Sequence, residues 1–187
     1  MENVVPIKVQ PLSDEAFRPY GTVLGLKSPV FPEVDGGKHV VLMIRLKRAA
    51  NNRRLEQLAI HPSYNQTFIP LQGSMVLIVA PPPRNPDAGH DKYELDYDKL
   101  GAFVMEPGEA VIVDKGTWHA AVPLGEDCLM LSGTRKGAED YTATISGGVQ
   151  EGGRIPVADH AEAKKATPYI EFVDLKKRDN RVMELQL

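Results

Sequence analysis

Through the middle of this chain, short apolar segments alternate with turn-forming residues, and that punctuation limits the fold more than any other feature. Residues 40–46, 67–71, 75–80, 102–105, 110–113, 119–122 and 128–131 are each short and apolar or β-branched, and each is bounded by Gly, Pro, Asp or Asn. The chain carries 16 glycines and 15 prolines in 187 residues. Both residue types interrupt helices and favour turns, so a mainly helical protein is excluded. Regular strand–turn spacing predicts an antiparallel sandwich or barrel. Leu71-Gln72-Gly73-Ser74 has the chemistry of a tight hairpin turn, with Gly73 free to take positive φ.

Outside that block the pattern changes. Ser13 can cap a short helix over residues 13–17, with Asp14 and Glu15 in its first turn. Residues 81–91 (PPPRNPDAGHD) read as a surface loop, and residues 146–153 (SGGVQEGG) as a connector. Residues 159–166 suit a solvated helix, 169–175 a strand added to a sheet edge, and 176–184 a solvated, mixed-charge surface. Residues 1–146 are therefore expected to form the barrel with its N-terminal helix, and 147–187 a C-terminal extension packed on the same domain.

Lys and Arg number 22 against 25 Asp and Glu, a formal charge of −3. That balance lacks the basic footprint of a nucleic-acid or anionic-membrane binder, so neither partner is expected. Residues 1–10 lack the basic and apolar regions of a signal peptide. The apolar runs at 40–44 and 75–80 fall far short of the roughly 20 residues that span a bilayer. A cytoplasmic location is the expectation. The single cysteine, Cys128, sits among Leu129, Met130 and Leu131 and reads as a buried thiol.

Two segments carry the chemistry. One runs from His61 through Gln66 to Gly73, the other from Gly108 through Gly116 to His119. Together they resemble the paired cupin motifs G-x5-H-x-H-x(3,4)-E-x6-G and G-x5-P-x-G-x2-H-x3-N. His61 falls at the second His, Gln66 at the Glu, and His119 at the His of the second motif. Ala59 stands at the first His and Asp114 at the Pro. Strand side chains alternate between faces, so two strand pairs can aim such groups into one barrel mouth. Imidazoles suit Ni, Mn or Zn, which makes His61, Gln66 and His119 a candidate but depleted set of ligands for a divalent metal.

The connecting sequence carries a closer resemblance. Leu12-Ser-Asp-Glu-Ala-Phe-Arg-Pro-Tyr-Gly-Thr-Val23, His61-Pro62, Gln66-Thr-Phe-Ile-Pro-Leu-Gln-Gly73, Leu100-Gly-Ala-Phe103 and Trp118-His119 resemble the ureidoglycolate lyase (ureidoglycolate hydrolase) family. The resemblance implies a mainly β fold, a cupin-type antiparallel β-barrel (a double-stranded β-helix or jelly roll), and a homodimer. It implies cleavage of ureidoglycolate to glyoxylate and urea in allantoin and purine nitrogen breakdown. The chain departs from the family where Ala59-Ile60 stands for the usual Glu-Arg and Ala120-Ala121 for the usual His-Pro.

Elimination from ureidoglycolate needs a base for the hydroxyl proton, an acid for the departing nitrogen and an anchor for the carboxylate. His61 and His119 are the candidate acid and base, in either order. Lys115 stands where relatives usually carry Arg and is the first candidate anchor. Arg45, a charge inside an apolar run, is another. Arg48 resembles a family Arg-Ala pair. Gln66 could hydrogen-bond a substrate oxygen, and Trp118 could wall the pocket. His39, His90 and His160 lie in polar segments and are expected to be exposed. The departures leave two other readings open. One is a diverged cupin acting on another small hydroxy- or keto-acid. The other is a non-enzymatic cupin that binds a metabolite.

Overall fold

A computed structural model describes the chain except residues 1, 27–28, 50, 52, 89–91, 136–143, 146–147 and 153–170. The expected helix at 159–166, His90 and His160 lie outside the described residues. Strands β1 (Asn3–Pro11), β2 (Gly21–Val23), β3 (His39–Arg48), β4 (Arg54–Leu55) and β5 (Gln57–Ile60) come first. Then follow β6 (Gln66–Gln72), β7 (Met75–Ala80), β8 (Gly101–Met105), β9 (Val111–Val113), β10 (Trp118–Pro123) and β11 (Asp127–Arg135). Last come β12 (Thr144–Ile145), β13 (Gly148–Gly152), β14 (Glu171–Asp174) and β15 (Arg181–Gln186). Among the described residues there are also two short α-helices, α1 (Asp14–Phe17) and α2 (Leu175–Asp179), and 3-10 turns at Pro86–Ala88 and Tyr97–Lys99. As expected, Ser13 Oγ accepts from the Ala16 amide at 3.3 Å to cap α1.

The strands form two sheets, ordered β14-β5-β10-β7-β8-β1-β15-β4 and β12-β13-β3-β11-β6-β9-β2. The chain crosses between the sheets from β3 to β5, β5 to β6, β6 to β7, β8 to β9, β9 to β10 and β10 to β11. That winding is a double-stranded β-helix, so the fold is mainly β and of cupin type. The turn after β6 places Gly73 at φ +74°, where a Cβ would lie 2.5 Å from the Asp127 carbonyl oxygen. Only glycine suits both demands.

Two apolar layers hold the sheets. The barrel interior joins Ile44, Leu46, Phe68, Val111 and Met130 from one sheet to Leu77, Val79, Phe103 and Ala121 from the other. Cys128 is buried there, as the sequence suggests, and burial pushes its thiol pKa up to about 11. A second layer lies on the outer face of the eight-stranded sheet. It brings together Leu58, Ile78, Trp118, Ala120 and Val122 with Ile7, Leu175, Met183 and Leu185. Strands β7 and β10 are therefore buried on both faces, which is why β7 reads as an unbroken apolar run and β10 as one interrupted only by His119.

One strand is new here and two expectations are corrected. The N-terminal residues form β1, parallel to β15 over Asn3–Lys8 and to β8 over Val9–Pro11. The expected connector at 146–153 contains β13, antiparallel to β3 from Gly148 with Arg48 to Gly152 with Ile44. The expected solvated surface at 176–184 instead ends in β15, with Val182 and Met183 buried under the outer layer. The predicted edge strand is present as β14, paired with β5. Among the described residues, no helix is long and apolar enough to cross a membrane.

Met183 is fully buried, whereas Glu184 on the next pleat faces solvent and ion-pairs Arg54 at 3.7 Å. Met183→Ala should lower the unfolding free energy by about 2–5 kcal/mol, and Glu184→Ala by less than about 0.5 kcal/mol. Urea denaturation of the two variants measures both.

Candidate active site

The crossovers β5–β6 and β9–β10 meet at one end of the barrel. The Gly116 amide donates to the His61 carbonyl at 2.8 Å, and His119 pairs with Ala59 across β10 and β5. This places the two histidines side by side, with ring centroids 4.5 Å apart and planes tilted by 57°. Both are buried, His61 to 4% exposure and His119 to 5%. Burying two imidazoles is costly unless their ring nitrogens are engaged.

The engagement differs between the two rings. His61 Nε2–H donates to Gln66 Oε1 at 2.6 Å, and Gln66 Nε2 donates to Ser132 Oγ at 3.2 Å. The Tyr64 ring stacks on His61 at 4.4 Å and 17°. His119 Nδ1–H donates to the Thr117 carbonyl at 3.0 Å, and Phe68 stands edge-on at 5.6 Å. Thr117 is fixed in turn by its hydroxyl, which donates to the Tyr20 carbonyl at 3.2 Å. The His119 tautomer is therefore set, and its Nε2 lone pair is left for a ligand. Burial depresses the His119 pKa to about 4, against a smaller upward pull from the Thr117 carbonyl. The ring is neutral at physiological pH.

The structure brings His61, Gln66 and His119 together and separates the other expected site residues from them. Trp118 lies in the outer layer, 6.2 Å from Tyr93, with the Arg178 guanidinium 5.8 Å above its ring. Neighbours on a strand face opposite ways, so a Trp beside an inward His must point outward. Ala120 obeys the same alternation and lies in the outer layer. A His at that position would not enter this pocket. Ala59, by contrast, is the cross-strand neighbour of His119. Arg45 sits between inward-facing Ile44 and Leu46, and it turns outward to pair with Asp127 at 2.6 Å. Arg48 is exposed, and its amide donates to the Glu126 carbonyl at 2.9 Å. That places it at the far end of the barrel from Ser132 and the histidines. Lys115 is at the mouth, but its ammonium lies 2.8 Å from both Glu33 and Asp35. His39 is exposed, as expected.

Tyr64, Thr117 and Ser132 are part of the site and were not singled out from the sequence. Ser132 alone left a signal, being the polar residue that continues the inward alternation of Cys128 and Met130.

The donor set does not fit a tightly held divalent cation. Two imidazoles and a neutral amide supply no carboxylate or thiolate, and His61 Nε2 and Gln66 Oε1 already satisfy each other. Among the described residues, no three His, Cys, Asp or Glu side chains converge as a metal-ligating group.

The family model described as ureidoglycolate lyase matches residues 31–142, which include every residue of this site except Tyr20. The chain belongs to the ureidoglycolate lyase family. Among its family relatives is the ureidoglycolate lyase of Chelativorans sp. (strain BNC1), 26% identical over 140 residues, covering 65% of this chain and 79% of that protein. That of Mesorhizobium japonicum is 27% identical over 139 residues, covering 64% and 80%. Among solved structures, hydroquinone 1,2-dioxygenase from Sphingomonas sp. TTNP3 has a TM-score of 0.42 at 16% identity, covering 60% of this chain and 70% of that one. That likeness is too remote to bear on this family member.

The depressed His119 pKa makes stability depend on pH. The unfolded ring binds its proton near the ordinary value of 6.5 and the folded ring near 4, so the unfolded state holds more protons between those values. The stability is fully present above pH 6.5 and is lost as pH falls toward 4. His119→Gln should flatten that slope, as read from denaturation midpoints between pH 4 and 7.

Proposed function

We propose that this protein is a ureidoglycolate lyase that splits ureidoglycolate into glyoxylate and urea during allantoin and purine nitrogen breakdown. Family membership supports the substrate. The observation that carries the mechanism is the neutral His119, with Nδ1–H on the Thr117 carbonyl and Nε2 left for a ligand. His119 Nε2 takes the proton of the substrate hydroxyl. The oxygen closes to a carbonyl as the carbon–nitrogen bond breaks, and that bond's electron pair goes to the ureido nitrogen. The imidazolium then returns its proton to that nitrogen, releasing urea.

The reaction neither gains nor loses a proton overall, so one ring acts as base and then acid. Burial disfavours the imidazolium, which drives the return of the proton. His61 is the positioning partner, held by Gln66 and by the Tyr64 stack. No step calls on a metal. In this reading the substrate is a small carboxylate, and the enzyme works in the cytoplasm as a homodimer.

A second reading rests on Ala59. The residue opposite His119 carries no carboxylate, so the site could serve another small hydroxy- or keto-acid.

The purified protein should release glyoxylate from ureidoglycolate, and His119→Ala should lower kcat by about 10²–10⁴-fold. Wild-type protein that releases none sinks the lyase reading and favours the second. Treatment with EDTA followed by desalting should leave turnover within about twofold, as the donor chemistry requires.

A further inference from the structure

Residues 33–37 form a strap across the mouth of the barrel. The Glu33 amide donates to Asn65 Oδ1 at 2.8 Å, and the Asn65 amide donates to the Glu33 carbonyl at 3.0 Å. The Asp35 amide donates to the Ser63 carbonyl at 2.8 Å, and Val34 bridges antiparallel to Tyr64. The strap therefore lies against the segment that joins His61 to Gln66, with Val34 paired to the backbone of Tyr64.

Two cations from the barrel hold its other side. Arg135 Nε and Nη2 donate to the carbonyls of Asp35 and Gly36 at 3.3 and 2.7 Å. A Cβ on Gly37 would come within 2.6 Å of that guanidinium, so a larger residue there would push it from its present place. Lys115 reaches the strap's side chains and lies 2.8 Å from both Glu33 Oε2 and Asp35 Oδ1.

The two attachments differ in kind. Arg135 is buried and grips backbone carbonyls. The Lys115 pairs are open to water: the side chains of Glu33 and Asp35 are 67% and 63% exposed, and that of Lys115 27%. Ion pairs so hydrated exchange readily. Negative charge is also in excess. Two carboxylates share one ammonium, and Asp114 faces the field of Glu33 as a third. Lys115 is the cation that pairs directly with the strap's side-chain carboxylates, whereas Arg135 holds its backbone.

We propose that Lys115, Glu33 and Asp35 form a carboxylate-exchange latch, in which an incoming small carboxylate takes the two strap carboxylates' place on Lys115 while Arg135 and the backbone pairing keep the strap attached. The strap side chains thus stand in for the ligand in the empty enzyme. The proposal rests on the reading above in one respect, that the ligand is a small carboxylate.

Titration calorimetry on the full chain tests it, with glyoxylate and oxamate as carboxylate probes and urea as a neutral control. The double variant Glu33→Gln, Asp35→Asn removes the internal competitors and should bind both carboxylates about threefold tighter or better. Lys115→Met should weaken them by about tenfold or more, with urea unaffected by either change. Unchanged or weaker carboxylate binding in the double variant overturns the latch. So does carboxylate binding that ignores Lys115→Met, or a protein that binds no carboxylate in any form. Glyoxylate release by the same preparations decides the lyase reading separately. The binding pattern without turnover keeps the latch and ends that reading, and turnover without the pattern does the reverse.

Discussion

Strand β10 is buried on both faces, and most of the structure follows from that constraint. Trp118, Ala120 and Val122 go to the outer apolar layer, while His119 and Ala121 go to the barrel interior. A slip of one residue would exchange the two sets and bury an indole where an imidazole belongs. Pairing with β7 on one side and β5 on the other fixes the register. The second layer, built from both ends of the chain, thus holds the histidine in place from behind.

Within that frame the site is an exercise in burying imidazole without charge. His119 has no carboxylate beside it; its cross-strand neighbour is Ala59, and its Nδ1 partner is a backbone carbonyl. An ionised neighbour would favour the imidazolium, whereas a carbonyl orients the ring and offsets only part of the desolvation. His61 follows the same logic with Gln66, a neutral side chain that accepts one hydrogen bond and donates another to Ser132. His61 Nε2 and His119 Nδ1 each meet a neutral oxygen, so the rings are anchored without formal charge. Charge is kept at the rim, on Lys115 and the strap.

The sequence made β3 and β6 to β11 legible because each buries at least one apolar face between turn-forming residues, whereas the short β2 and β5 went unannounced. It made His61, Gln66 and His119 legible because spacing along two crossovers survives translation into three dimensions. Trp118 and Arg45 were misread for a shared reason. Each is adjacent in sequence to an inward residue, and adjacency on a strand means the opposite face. Lys115 was read as a candidate carboxylate anchor, but its partners lie some 80 residues away and no local pattern announces them. Strands β1 and β15 were missed because neither has an apolar run. Only Ile7 of β1 is buried, and β15 interleaves Arg181 and Glu184 with its buried residues. Their strand character comes from pairing with each other.

That pairing also bears on the order of assembly. β1 is synthesised before the other described strands, yet from Asn3 to Lys8 its ladder partner is β15, the strand farthest from it in the sequence. The sheet-crossing strands from β3 to β11 can condense while the final residues are still being added. During that interval the outer face carrying Trp118 has no cover from Met183 or Leu185, and half of β1 presents an open hydrogen-bonding edge. Sequence-distant pairing of this kind is slow to form. The nascent protein is therefore most open to misassociation after its paired histidines are in place and before β15 docks.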